Sequence, residues 1–252
     1  MAPIRKGDGT PLEIPGVSEV RSGDGRVFFE GDAIADTHAY LVEDFAEPWP
    51  DAVGDVDMSV SGLSTSTFDN GEDSVSADGS SHGLANISEF FSQQTFGIAF
   101  TIATTDDGFE DYMSVHDGSR FNFGTNENRD PVGNLYWNMV DENSNLIGIY
   151  TDENFSDGSV RPVVINKNGD SANDMSMFVG DMETEQSVII DGDDSGFDHQ
   201  DVNITEELAF FARNEDGTIR SNSTADMGAI EFNSSPLDES QRQSFVDSRP
   251  EV

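Results

Sequence analysis

From about Tyr40 onward apolar and polar residues alternate with period two, most clearly in TFGIAFTIATT (95–105), which puts Phe96, Ile98, Phe100 and Ile102 on one face. Such alternation marks a strand with one buried face. The same pattern predicts strands at YMSVHD (112–117), RFNFGT (120–125), NLYWNMV (134–140), NLIGIYTD (145–152) and RPVVINKN (161–168). It continues through MSMFVGD (175–181), QSVIID (186–191), ELAFFARN (207–214) and GAIEFN (228–233). Turn clusters such as HDGS, DENSN, SDGS, NKNGD and NEDGT separate them. Many short strands at near-regular spacing predict an all-β sandwich or barrel. Helical periodicity is almost absent. One helix is predicted in SPLDESQRQSFVD (235–247), with Ser235 as its cap, Pro236 at its first position, and Leu237 and Phe245 facing the core.

Charge changes this picture more than length does. Among 252 residues, 50 Asp and Glu stand against 12 Lys and Arg, a formal net charge of −38 that would push the fold apart at low salt. Only Lys6 and Lys167 are lysines, and carboxylates are scattered through nearly every polar segment, the pattern of a halophile's protein. In molar salt the screening length shrinks to about 3 Å, which removes most of that self-repulsion. Eighteen Phe and 35% hydrophobic residues argue against an acidic disordered chain. Without cysteine there are no disulfides and no thiolate chemistry. No segment approaches the ~18 apolar residues of a membrane span, so no membrane insertion is expected. The N-terminus carries no classical export signal. No basic cluster lies outside Arg5 to Arg26, which argues against nucleic acid as a partner. Residues 1–35 hold four of the twelve basic residues and read as an N-terminal arm for docking or oligomerisation, with residues 36–252 as the main domain.

Three pieces of the chain resemble the laminin-G-like, concanavalin A-like jelly roll. RPVVINKNGDSANDMSMFVGD resembles its central strand pair. ELAFFARNEDGTIRSNSTADMGAIEFNSSPLDESQRQSFVD is similar to its closing strands and short final helix. STFDNGEDSVSADGSSHGLANI followed by TFGIAFTIATT resembles its opening hairpin, in which an Asp-Gly-Ser turn precedes the strand entering the core. Arg161-Pro162 stand where the family has Trp-His. The resemblance implies an all-β, two-sheet antiparallel jelly-roll sandwich with a short C-terminal helix and an N-terminal arm.

Fold alone does not choose a function. Catalytic jelly rolls of the laminarinase type carry Glu-x-Asp-x-x-Glu on one strand, because a retaining mechanism needs two carboxyl groups about 5 to 5.5 Å apart. That run is missing, and Glu231 in GAIEFN reads as a solvent-facing strand residue. His38, His82, His116 and His199 lie in separate polar turns and read as surface histidines. No catalytic residue is assigned, and no enzyme activity is expected.

Two kinds of binding site are candidates. The resemblance implies a calcium ion at the sandwich rim, and DGDDSGFDHQD (191–201) offers Asp191, Asp193 and Asp198, with Asp78 in the Asp-Gly-Ser turn as another place. An EF-hand is excluded, because position twelve is Val202 and the flanks are strands. Acidic clusters also arise by chance in such a chain, and solvated surface is the competing reading. For sugar recognition Tyr136 and Trp137 are the candidate ligand-binding aromatics, only one of which can face a groove, since adjacent strand residues point to opposite faces. Trp49, between Pro48 and Pro50, reads as a loop anchor.

An adhesive fold, no export signal and a distinct arm suggest a virion structural protein of a halophilic archaeal virus: a head decoration, turret or tail-fibre component. Its expected partners are copies of itself, other virion structural proteins and a host surface glycan or S-layer. A cellular carbohydrate-binding or adhesion module is the alternative, and a hydrolase with an unrecognised site is the third reading.

Overall fold

The computed structural model describes residues 20–21, 27–29, 36–126, 128, 130–220 and 223–247. Chain contacts divide the protein into two units, Met1–Ala33 and Ile34–Val252. In the first, β1 (Val20–Arg21) pairs antiparallel with β2 (Val27–Phe29). The rest of the expected 1–35 arm lies outside the described residues. The second unit continues with β3 (His38–Tyr40), β4 (Ser59–Ser61), β5 (Ser64–Thr67), β6 (Asp73–Asp78), β7 (His82–Ala85), β8 (Thr95–Ala103), β9 (Glu110–Asp117) and β10 (Ser119–Asn126). Then come β11 (Asn134–Val140), β12 (Leu146–Thr151), β13 (Arg161–Asn168), β14 (Met175–Val179) and β15 (Val188–Asp193). Last are β16 (Leu208–Phe210), β17 (Arg213–Glu215), β18 (Thr218–Arg220), β19 (Thr224–Asn233) and the helix α1 (Glu239–Asp247).

These strands form two sheets. The smaller runs β14-β13-β8-β19-β6-β5, with β3 also on β19; the larger runs β15-β12-β11-β10-β9-β16-β7-β4, with β17 on β9 and β18 on β17. The expected stripe of β8, Phe96, Ile98, Phe100 and Ile102, is buried and meets the larger sheet. Phe100 packs edge-on against Phe123 with ring centroids 4.8 Å apart, and Phe96 lies 6.1 Å from Trp137. Such tilted aromatic pairs add to the burial of their area, so the alternation seen in sequence becomes one interlocked core. The result is the two-sheet jelly-roll sandwich.

Three local features depart from the sequence reading. The segment 207–214 is divided, because Phe211 adopts a left-handed φ of 59°. Its amide donates to Tyr112 O at 2.7 Å, and β17 then turns to run parallel to β9. The Asp78-Gly79-Ser80 turn does not close a hairpin: β6 belongs to the small sheet and β7 to the large one, so the turn carries the chain between layers. The C-terminal helix begins at Glu239, after Ser235 and Pro236. Asp238 caps it instead, with Gln241 N donating to Asp238 Oδ1 at 2.9 Å and Asp238 N donating back to Gln241 Oε1 at 3.0 Å. This reciprocal pair is a capping box. Leu237 and Phe245 are buried as expected, though against Ala99, Val164 and Phe178 on the outer face of the small sheet. The helix thus closes that face.

A bulge in β9 sets the other outer face. Phe123 pairs with Met113 and Gly124 with Asp111, so Tyr112 and Met113 both turn inward and Asp111 turns out. Gly124 is required there, since a Cβ at this position would lie 1.8 Å from Glu110 O.

Candidate functional site

Away from the core, the large sheet presents Asp111, Ser114 and His116 from β9, Asn122 from β10, and Tyr136 and Asn138 from β11. Asp111 and Ser114 are fully buried, and Asn122 and Tyr136 are nearly so. Polar side chains this enclosed cost free energy unless they are bonded, and here two networks bond them.

In the first, Arg213 Nε and Nη2 both reach Asp111 Oδ2, at 3.0 and 2.8 Å, while the Tyr136 hydroxyl donates to Asp111 Oδ1 at 2.7 Å. Phe109 stacks on Tyr136 with centroids 5.9 Å apart, and the Arg213 guanidinium carbon lies 5.1 Å from the Phe109 ring centre. Phe109 carries the exposed surface of this cluster. Burial pushes the Asp111 carboxyl up from the ordinary carboxylate range, with Arg213 and the Tyr136 hydroxyl pulling against it.

In the second, Asn122 Oδ1 accepts from Ser114 Oγ and His116 Nε2, both at 2.6 Å, and Asn122 Nδ2 donates to Asn138 Oδ1 at 2.9 Å. Burial first, then the charges of Arg213 and Arg120, lower the His116 pKa to about 4, against a bond from Asn122 that raises it. The ring is therefore neutral near pH 7. Because Asn122 Oδ1 only accepts, the proton sits on Nε2 and Nδ1 is left as an acceptor. Neither His116 Nδ1 nor Asn138 Nδ2 has a partner among the described residues, so the network ends in one acceptor and one donor.

His116 also lines a polar pocket of about 180 Å³, with Arg120 from its own hairpin, Glu215 from the end of β17 and Asp216 from the turn that follows. A wider depression of about 400 Å³, beside Val42, Phe45, Thr65 and Asp73, holds no imidazole or guanidinium. The smaller pocket is the chemically equipped one, because it adjoins a buried polar network.

The expected aromatic pair divides across the sheet. Trp137 is fully buried in the core, and Tyr136 faces outward beneath Phe109. The three aspartates do not form one site. Asp193 Oδ1 accepts from Ala172 N at 2.7 Å and Ser171 Oγ at 3.0 Å, fastening the 3-10 turn Ala172–Asp174. Asp198 Oδ1 accepts from Gln200 N at 2.9 Å and caps the 3-10 turn His199–Asp201. Asp191 lies in β15, where the pairing with β12 shifts register. Among the described residues one group of three metal-type donors comes within 4.8 Å, namely Asp170, Asp198 and His199. The Lys167 ammonium already stands 3.1 Å from Asp170 Oδ1, and His199 Nδ1 2.8 Å from its Oδ2. A hard dication takes six to eight oxygens, and this donor set does not fit it. At Asp78 the hydroxyls of Ser81 and Ser80 hold the carboxyl down at about 2. Trp49 is buried and donates to Leu41 O at 2.8 Å, an anchor as expected.

Two sequence expectations are corrected. Glu231 is buried rather than solvent-facing, because β3 and β8 flank it on both sides. The histidines are partly buried rather than free at the surface: His38 Nδ1 meets Asp51 Oδ2 at 2.6 Å, His199 meets Asp170, His116 meets Asn122, and burial lowers the His82 pKa. Sequence reasoning passed over Asp111, Ser114, Asn122, Arg213 and Phe109. Its available signal was the polar residue placed between apolar ones in YMSVHD, RFNFGT and NLYWNMV.

Glu110 lies beside this site, and burial, then the charge of Asp106, raise its pKa from 4.5 to about 7. The folded state therefore holds a proton that the unfolded chain releases. The stabilisation is complete below the unfolded value of 4.5 and is lost as pH rises through about 7. Relative to Glu110→Gln, the wild-type protein is expected to lose unfolding free energy between about pH 5 and about pH 8 in denaturant titrations. Equal pH dependence in both proteins would overturn this assignment.

The protein is a two-sheet jelly-roll sandwich with a polar outer sheet face. Solved structures share that architecture. The binding domain of botulinum neurotoxin DC in complex with rat synaptotagmin II superposes with a TM-score of 0.59 at 12% identity, over 84% of this chain and 51% of that one. The same toxin's binding domain in complex with SialylT gives 0.58 at 14% identity, over 86% and 52%. A mutant of Trypanosoma rangeli sialidase displaying trans-sialidase activity gives 0.52 at 10% identity, over 82% and 32%. The chain spans about half the length of the toxin domains it matches. No protein-family profile matches the sequence, and no curated protein sequence matches it.

Proposed function

We propose that this chain is a non-catalytic glycan-binding module that offers the outer face of its large sheet to a surface saccharide. One observation carries the reading: the Ser114–Asn122–Asn138–His116 network ends in an amide donor on Asn138 and in an imidazole acceptor on His116, which lines a pocket. Buried second partners hold both groups in place, so little side-chain freedom is lost on binding. Removing one such hydrogen bond costs about 1 kcal/mol, or about fivefold in affinity. Asn138→Ala and His116→Ala are each expected to weaken glycan binding by at least that factor in calorimetry in molar KCl, with an unchanged far-ultraviolet spectrum. Unchanged affinity in both variants would remove the site from this face.

The setting is the virion of a halophilic archaeal virus, where the module serves as a decoration, turret or tail-fibre part in a homo-oligomer that contacts the host surface. A net charge of −38 and the separate Met1–Ala33 unit support it. Flanking genes without capsid or tail proteins would overturn the setting and favour a cellular adhesion module. A monomer by light scattering in molar salt would count against the oligomer.

A further inference from the structure

We infer that the outer-face site selects uncharged, hydroxyl-rich saccharides over sialylated or other carboxylate-bearing ones, an inference that rests on the glycan-binding reading above. The first argument is complementarity. His116 Nδ1 offers a lone pair and needs an O–H or N–H donor, whereas a carboxylate supplies only acceptors. A sugar hydroxyl supplies both roles, donating to His116 Nδ1 and accepting from Arg120, which lines the same pocket. The pocket's 180 Å³ suits a single sugar ring.

The second argument is charge. Two nearby guanidiniums are already committed: Arg213 to Asp111 at 2.8 Å and Arg220 to Glu215 at 3.1 Å. Arg120 has no ion-pair partner among the described residues, yet it shares the pocket with Asp117, Glu215 and Asp216. Asp117 is itself fixed in place, its Oδ2 accepting from Thr205 N at 3.0 Å and from the Thr205 hydroxyl. An incoming carboxylate therefore meets Asp117 and Asp216, besides the Glu215–Arg220 pair, for one uncommitted guanidinium. Molar salt shortens the reach of that guanidinium to about 3 Å, while direct hydrogen bonds are kept.

The test compares matched pairs, lactose with 3′-sialyllactose and a neutral galactan fragment with oligogalacturonate, by saturation-transfer NMR and calorimetry on the full chain in molar KCl. The neutral member of each pair is expected to bind at least tenfold tighter. Glu215→Gln combined with Asp216→Asn is expected to narrow that ratio by raising affinity for the charged member alone. A charged member that binds as tightly as its neutral partner, or a ratio unmoved by the double variant, overturns this inference and leaves glycan binding standing. Binding of neither member of any pair overturns the glycan-binding reading itself.

Discussion

Lys167→Ala is expected to lower the unfolding free energy by about 3–5 kcal/mol, the cost of removing one partner from a buried ion pair. Lys167 lies on β13 and is fully buried, with Nζ donating to Gln94 O at 2.8 Å and to Asp170 Oδ1 at 3.1 Å. Burial pushes its pKa below the ordinary lysine value, and the Asp170 bond and charge pull the other way. Its ammonium also sits 5.7 Å from the centre of the Phe197 ring, in the loop that begins the 191–201 stretch's second half. Truncation leaves a cavity, an unmet carbonyl and a carboxylate held by His199 alone. At about 2–4 °C per kcal/mol for a domain of this size, the melting midpoint should fall by roughly 6–20 °C. Lys167→Met separates packing from charge, since it refills the volume and still leaves Asp170 short of a partner. Adding Asp170→Asn to it should recover part of the loss, because the unpaired charge is then gone. A loss below about 1 kcal/mol for the alanine variant would show the pair to be dispensable. Calcium added at constant ionic strength should leave the wild-type midpoint unchanged, since the ammonium already answers the carboxylate.

The strands were legible because eighteen Phe and the β-branched residues alternate with polar ones, and burying one face of each strand is what the sandwich does with that alternation. The same rule separated Tyr136 from Trp137 correctly. It could not find the site, because the decisive events are backbone irregularities. The bulge at Tyr112 and Met113 turns Asp111 outward, and the left-handed Phe211 delivers Arg213 to it across 102 residues of sequence. Phe109 comes from a loop that carries no periodic signal. The His116 environment was hidden for a related reason: a histidine next to a turn looks exposed until β17 is laid parallel to β9 beside it. Of the aspartates of 191–201, Asp193 and Asp198 are engaged separately, each at its own 3-10 turn. Asx-type caps are common uses of such residues, and a one-dimensional cluster does not distinguish a cap from a ligand.

Arg213→Met should be the second large loss, again about 3–5 kcal/mol, because it leaves a fully buried carboxylate with one neutral donor. Its signature is in the pH dependence. Without the guanidinium, burial raises the Asp111 pKa further above its unfolded value of 3.8, so the folded state binds a proton that the unfolded chain does not. The protonated form fits the site, and its stabilisation is present below the unfolded value and lost as pH rises through the folded one. The gap between wild type and Arg213→Met should therefore widen as pH rises above the unfolded value of 3.8 and level off only above the raised folded value. Asp111→Asn alone should cost less, since a neutral amide still accepts from Tyr136 and the partly exposed Arg213 keeps some solvent. Combining Asp111→Asn with Arg213→Met should remove the pH-dependent gap, whatever packing loss persists from Phe109. If the gap stays flat with pH while the loss remains large, Arg213 acts through its contact with Phe109 rather than through the carboxylate. The same variants report on binding: the Asn122–His116 network has its own partners, so a double variant that folds should keep glycan affinity within about threefold of wild type.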